Sequence, residues 1–177
     1  MLSIDQIARW LEPWNHLFSH STLISGTVLG LHILALFLGG GLAVAADRST
    51  LRARSRDRAT RLHQLREVQA IHPAILSGLA VLFVTGVLLA AADVTTFLPS
   101  PFFWIKLSLV VLLLVNGGVL TLTERRMNAE LAQDARADPT MDAAEASLWR
   151  RMAMLAWFSI ALWTATAIVG IVLSNVS

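Results

Sequence analysis

The chain has 177 residues, is 55% hydrophobic and carries a formal net charge of +2, with a mean hydropathy of +0.63. That is too apolar for a soluble domain of this size, and the basic residues gather in two stretches beside apolar segments, which argues against nucleic acid as their partner. Cysteine and tyrosine are absent, so disulfides, thiolate metal sites, covalent c-type haem attachment and tyrosine haem ligands are excluded.

Residues 1–20 lack the basic start, short apolar run and small-residue cleavage site of a signal peptide, so the first apolar segment is expected to be retained. Ile4, Ile7, Trp10, Leu11, Trp14, Leu17 and Phe18 follow 3/4 spacing, with Asp5, Arg9 and Glu12 between them. This predicts an amphipathic helix lying in the outer membrane interface. Pro13 is expected to break it into two turns. His16 and His20, spaced i, i+4, share one helical face, which suits either a metal ion or contact with lipid headgroups.

Four apolar stretches follow, at about 21–46, 69–92, 101–123 and 152–174. Each is long enough to cross ~30 Å of hydrocarbon as a helix. The first carries His32, preceded by Gly26 and Gly30 and followed by Gly39-Gly40-Gly41. Small residues there admit a neighbouring helix or a flat cofactor. An intramembrane histidine reads either as a functional group or as a hydrogen-bonded helix contact.

The next connection holds Arg48, Arg52, Arg54, Arg56, Arg58, Arg61 and Arg66. Asp47 and Arg48 are expected to pair locally, and His63 to be solvated. Leu51, Leu62, Leu65 and Val68 show helical spacing, which extends the second helix towards the cytoplasm. His72 stands at the cytoplasmic start of the second span, with Pro73 placed in its first turn. His72 reads as an interfacial residue, a ligand or a proton-admitting group.

The short connection 92–100 makes the second and third spans antiparallel neighbours. Lys106 lies inside the third span, where a charge costs on the order of 3 kcal/mol. It is about five residues from the outer end, roughly 7 Å deep, which permits snorkelling. Asn116 is expected to hydrogen-bond within the bundle. Asp93 and Glu124 are expected to be solvated at the ends of their helices. Residues 128–148 read as a polar loop with a turn at Asp138-Pro139-Thr140.

Twelve of the fourteen basic residues fall in the two connections, counting Arg125, Arg126, Arg136, Arg150 and Arg151 in the second. Both are therefore expected to be cytoplasmic. The expected fold is all-α: a single-domain integral membrane four-helix bundle with an N-terminal interfacial helix and both termini outside. Helical rise sets His32 and His72 roughly 15 Å apart in depth, farther than two axial ligands of one iron can lie. His32 and Lys106 share the outer half. Catalytic triads, phosphate-binding glycine loops and dinucleotide fingerprints are absent, so soluble-enzyme chemistry has no support.

Three segments carry a resemblance: His32 with the glycines after it, Arg66-Glu67-Val68-Gln69-Ala70-Ile71-His72-Pro73-Ala74-Ile75-Leu76-Ser77-Gly78 with Thr85-Gly86-Val87, and Phe102-Phe103-Trp104-Ile105-Lys106-Leu107. Over about residues 20–125 the chain resembles small four-helix bacterial membrane proteins of the copper-resistance D type, HemJ-type protoporphyrinogen oxidases and related families. The resemblance implies a multi-pass protein of the bacterial inner membrane that binds b-type haem, with His32 and Lys106 at the positions that match. The extended N-terminal segment and the Trp-rich fourth span depart from the HemJ pattern.

Together these readings give a haem b protein acting in electron transfer or a membrane oxidoreductase reaction, with quinone or a redox protein as partner. His32, His72, Lys106 and His20 are the cofactor-binding candidates, and His32 and His72 the haem iron candidates; His16 with His20 is a weaker metal pair. Two rivals stand beside this reading. One is a non-catalytic accessory subunit of a larger membrane complex, for which Gly26/Gly30 and the interfacial helix would serve as contacts. The other is transport of a metal or small solute by a homo-oligomer.

Overall fold

The computed structural model describes residues 3–53, 56–133 and 143–176. The chain is an all-α bundle. Its elements are α1 (Ile4–His20), α2 (Thr22–Ala35), a π-helical turn (Leu36–Gly40), α3 (Gly41–Ala53), α4 (Arg58–Ala92), the short α5 (Val94–Phe97), α6 (Pro101–Gln133) and α7 (Ala143–Val176). The turn at 138–140 expected from the sequence lies outside the described residues.

Four helical segments, Thr22–Ala53, Ala59–Ala92, Pro101–Ala129 and Glu145–Leu173, are long and apolar enough to cross a membrane. The chain is thus built as a multi-pass membrane protein. Contacts run in opposite order along successive helices: His32 meets Thr85, Gly39 meets Gly78, His72 meets Thr121 and Asn116 meets Leu155. This is the up-down-up-down arrangement of sequential antiparallel neighbours. The helix formed by α2, the π turn and α3 packs on α4 and α7, and α6 packs most extensively on α7.

The helices outrun the apolar stretches. α4 has 35 residues, about 50 Å at 1.5 Å per residue, against ~30 Å of hydrocarbon. Hydropathy marks only the part of a helix that suits lipid. Pro73 is therefore not in a first turn but mid-helix, where its missing N–H frees the Gln69 carbonyl. Pro13 likewise sits inside a continuous α1 rather than dividing it.

Two cores result. Leu79, Leu82, Val110, Leu113, Leu162 and Trp163 fill the apolar middle. Leu65, Leu120, Met127, Trp149 and Met152 form a second cluster towards the Arg-rich end. Burying such side chains contributes about 1.5–3 kcal/mol each. Arg61 and Glu145 brace this end through a nearly buried ion pair of 3.1 Å between α4 and α7.

At the opposite end α1 is opened by a capping box, in which Ser3 and Gln6 satisfy each other's backbone N–H groups. It packs on α2, α4 and α5. The Trp14 indole donates to the Leu88 carbonyl at 2.9 Å, and the Asn15 amide donates to the Ala92 carbonyl. Ala92 ends α4, and its carbonyl has no partner within the helix; Leu88 lies one turn earlier.

Candidate functional site

Between the helices, on the α1 side, lies a cavity of about 710 Å³. Its walls are mainly apolar side chains from α2, α4, α6 and α7, with Phe18 of α1 and Phe97 of α5 at the end. His32 and Lys106 both line it. A mostly apolar pocket of this size with a few convergent polar groups is the general form of a ligand site.

His32 is hydrogen-bonded at one ring nitrogen. Its Nδ1 lies 2.9 Å from the Thr85 hydroxyl oxygen, and that hydroxyl is also 2.6 Å from the Val81 carbonyl. With the hydroxyl hydrogen on Val81, the Thr85 oxygen accepts from Nδ1–H. The Leu82 carbonyl is a second acceptor within reach of the ring. In the neutral ring Nε2 is left with a lone pair. Ligating histidines share this arrangement: one nitrogen is oriented by a neighbour and the other is free to bind.

Gly86 makes room for the ring, because a Cβ there would come within 3.3 Å of His32 Cε1. Lys106 reaches across to α7, where a Cβ on Gly170 would stand 3.3 Å from the ammonium nitrogen. Among the described residues no carboxylate lies within ion-pair distance of Lys106. The cavity thus pairs a free imidazole nitrogen with a cation, over apolar walls.

The register of His32 and His72 is settled by their partners. His32 faces Thr85 and Gly86, thirteen residues along α4 from His72, or about 20 Å of helix. The structure does not bring the two histidines together. His72 belongs to a second polar layer nearer the Arg-rich end. Its Nε2 lies 3.0 Å from the Thr121 hydroxyl, which donates to the Gly117 carbonyl at 2.9 Å. By the same reasoning His72 Nε2 carries a proton. His72 Nδ1 faces Glu124 Oε1 at 3.4 Å.

This layer departs from the sequence-based expectation. Glu124 is buried rather than solvated. Asp47 is also buried, while Arg48 is exposed, and the Asp47 carboxylate takes a hydrogen bond from Ser159 instead of pairing with its neighbour. Successive helical residues point about 100° apart, so an adjacent arginine says little about which way a carboxylate faces. The readable signal was that Asp47, His72 and Glu124 fall at one depth on three helices. Asn116 does bond within the bundle, donating to the Leu155 carbonyl at 3.3 Å.

Of the remaining candidates, Asp93 lines the α1 end of the cavity, and the histidines lie apart from both layers. His16 and His20 stack with ring centroids 4.0 Å apart on the exposed face of α1, and His20 Nδ1 contacts the His16 carbonyl. Neither lines the cavity. His63 is exposed and pairs with Glu67 one turn on. Asp93 is exposed and caps α5 through the Thr96 N–H. Gly26 and Gly30 meet nothing within 4 Å; the close helix approaches are made by Gly39 with Gly78 and by Gly40 with Trp163.

No family model, curated protein or solved structure matches the chain.

Proposed function

We propose that the protein binds a b-type haem in the cavity beside α1 and serves membrane electron transfer, with the Arg-rich connections on the cytoplasmic side of a bacterial inner membrane. The observation that carries this reading is the Thr85 contact at His32 Nδ1, on a histidine that lines an apolar cavity. With Nδ1 engaged there, Nε2 is the nitrogen left for iron. Lys106 suits a carboxylate of the same ligand, as a porphyrin propionate would supply.

The residues fit that group on three counts. The volume lies within the range of small-molecule pockets. Gly86 and Gly170 keep space beside the imidazole and the ammonium. Among the described residues no three His, Cys, Asp or Glu side chains are arranged to hold a bare metal ion, whereas a haem, which brings its own macrocycle, would be held by His32 with Lys106 on a carboxylate. When bound, haem supplies one-electron redox chemistry. The chain's part is to orient the imidazole through Thr85, neutralise a carboxylate through Lys106, and exclude water with the apolar walls and α1.

The test is optical. Protein purified from haem-replete cells should show a Soret band that His32→Ala removes and Lys106→Met weakens. A colourless preparation with intact helical content would refute the reading. A quinone is the redox partner most consistent with a lipid-embedded site of this kind.

A second reading rests on a different observation. Gly26 and Gly30 present an uncontacted small-residue surface, which supports service as a subunit of a larger membrane assembly. Co-purification of one partner in fixed ratio with no cofactor would favour it.

A further inference from the structure

In the layer around His72, buried acceptors outnumber the hydrogens available to them. Asp47, His72 and Glu124 are 4%, 7% and 2% exposed and come from α3, α4 and α6. α7 contributes Ser159, which donates to Asp47, and no charged group; Arg48, Arg125, Arg126 and Arg151 are exposed. Asp47 Oδ2, His72 Nδ1, Asn116 Oδ1 and Glu124 Oε1 are all buried without a hydrogen-bond partner. Packing of Gly39 on Gly78 and of Gly40 on Trp163 lies between this layer and the cavity.

With the Thr121 hydroxyl hydrogen on the Gly117 carbonyl, Thr121 accepts from His72 Nε2–H, and Nδ1 is the nitrogen left to take a further proton. With none there, two lone pairs face each other across 3.4 Å and the three groups together carry two negative charges. Uncompensated charge away from water is strongly unfavourable. One proton between His72 and Glu124 removes the clash and leaves a single negative charge, and a second on Asp47 neutralises the layer. A metal cation is a poorer occupant, because among the described residues no metal-holding group is present.

We propose that Asp47, His72 and Glu124 form a buried proton-binding site, keeping one proton between His72 Nδ1 and Glu124 Oε1 and loading a second onto Asp47 from the Arg-rich side. In loading, a hydronium O–H bond breaks, an O–H bond forms on the Asp47 carboxylate, and water leaves. Movement of the resident proton breaks an N–H bond and forms an O–H bond, with no net change in charge. No electron is transferred. The site does not depend on any cofactor in the cavity.

The experiment is nitrogen-15 NMR of histidine-labelled full-length protein, with His72→Gln to assign the signal, combined with infrared spectroscopy of the carboxyl groups during a pH titration. At neutral pH the expected result is either doubly protonated His72 beside ionised Glu124, or neutral His72 beside protonated Glu124. Glu124→Gln should shift the His72 signal, and Asp47→Asn should remove one titrating carboxyl band. Neutral His72 with both carboxylates ionised in the unsubstituted protein would overturn the proposal, whatever the variants do. So would a carboxyl band that follows sodium concentration at constant pH, since the occupant would then be a metal cation.

Discussion

Thr85 holds His32 by its Nδ1 on the wall of the cavity. Its hydroxyl hydrogen is committed to the Val81 carbonyl, so its oxygen receives the His32 Nδ1–H at 2.9 Å. Thr121 does the same for His72 from α6, using the Gly117 carbonyl. Each histidine is thus oriented by a threonine of a neighbouring helix, and each threonine is oriented by its own helix.

Replacing Thr85 with valine keeps the shape and removes the acceptor. We expect cofactor affinity to fall about 10–100-fold, the usual effect of losing the group that orients a ligating histidine. Thr85→Ser should restore most of it. Titration of the apoprotein with haem, followed at the Soret band, checks both.

Gly86→Ala should reduce cofactor occupancy without unfolding the protein. The added methyl would sit 3.3 Å from His32 Cε1, and the ring must move by a few tenths of an ångström to admit it. Gly118→Ala, on a helix face with nothing within 4 Å, is the control and should leave the spectrum unchanged. Soret absorbance per mole of protein is the measurement.

Gly78→Ala acts on the fold instead. Its Cβ would meet the Gly39 Cα at 3.0 Å, and neither side of that contact is a flexible side chain. Overpacking of this kind costs about 1–3 kcal/mol. The midpoint of thermal unfolding should fall accordingly, in the absence as well as the presence of cofactor.

Arg61→Ala leaves Glu145 nearly buried without its partner and also removes the hydrogen bond to the Arg56 carbonyl. The expected loss is about 3 kcal/mol, towards the lower end for a broken buried pair. Replacing both residues with leucine should recover part of it. A double-mutant cycle on thermal unfolding measures the coupling.

Trp14→Phe and Asn15→Ala each remove a donor to the end of α4, at about 1 kcal/mol per hydrogen bond. Together they should speed amide hydrogen exchange in α1 while sparing the middle of α4. Phe18 would then no longer be held at the end of the cavity, so cofactor loss should accelerate in parallel.

The four long helices were legible because an apolar run of membrane length has few other outcomes. Their true ends were not, because polar stretches such as 58–68 continue the helix while contributing nothing to hydropathy; Pro73 was misplaced for that reason. His32 and Lys106 were legible as rare groups in apolar surroundings, and the structure does bring them to one cavity. Asp47 and Glu124 were hidden by the arginines beside them. The glycines were legible as sites of close approach but not as pairs: among the described residues Gly26 and Gly30 meet nothing within 4 Å, whereas Gly39 finds Gly78. Sequence spacing names a face, and only the assembled bundle names its partner.

The Gly39–Gly78 contact has a mechanical consequence. With Trp163 closing over Gly40 at the same level, backbone and indole stand between the cavity and the polar layer around His72. The imidazole of His32 and the ammonium of Lys106 lie on one side, the buried Asp47 and Glu124 carboxylates on the other. α4 runs through both levels, carrying Thr85 and Gly86 beside the cavity and His72 in the polar layer. A tilt or rotation of α4 would therefore move both histidine contacts at once.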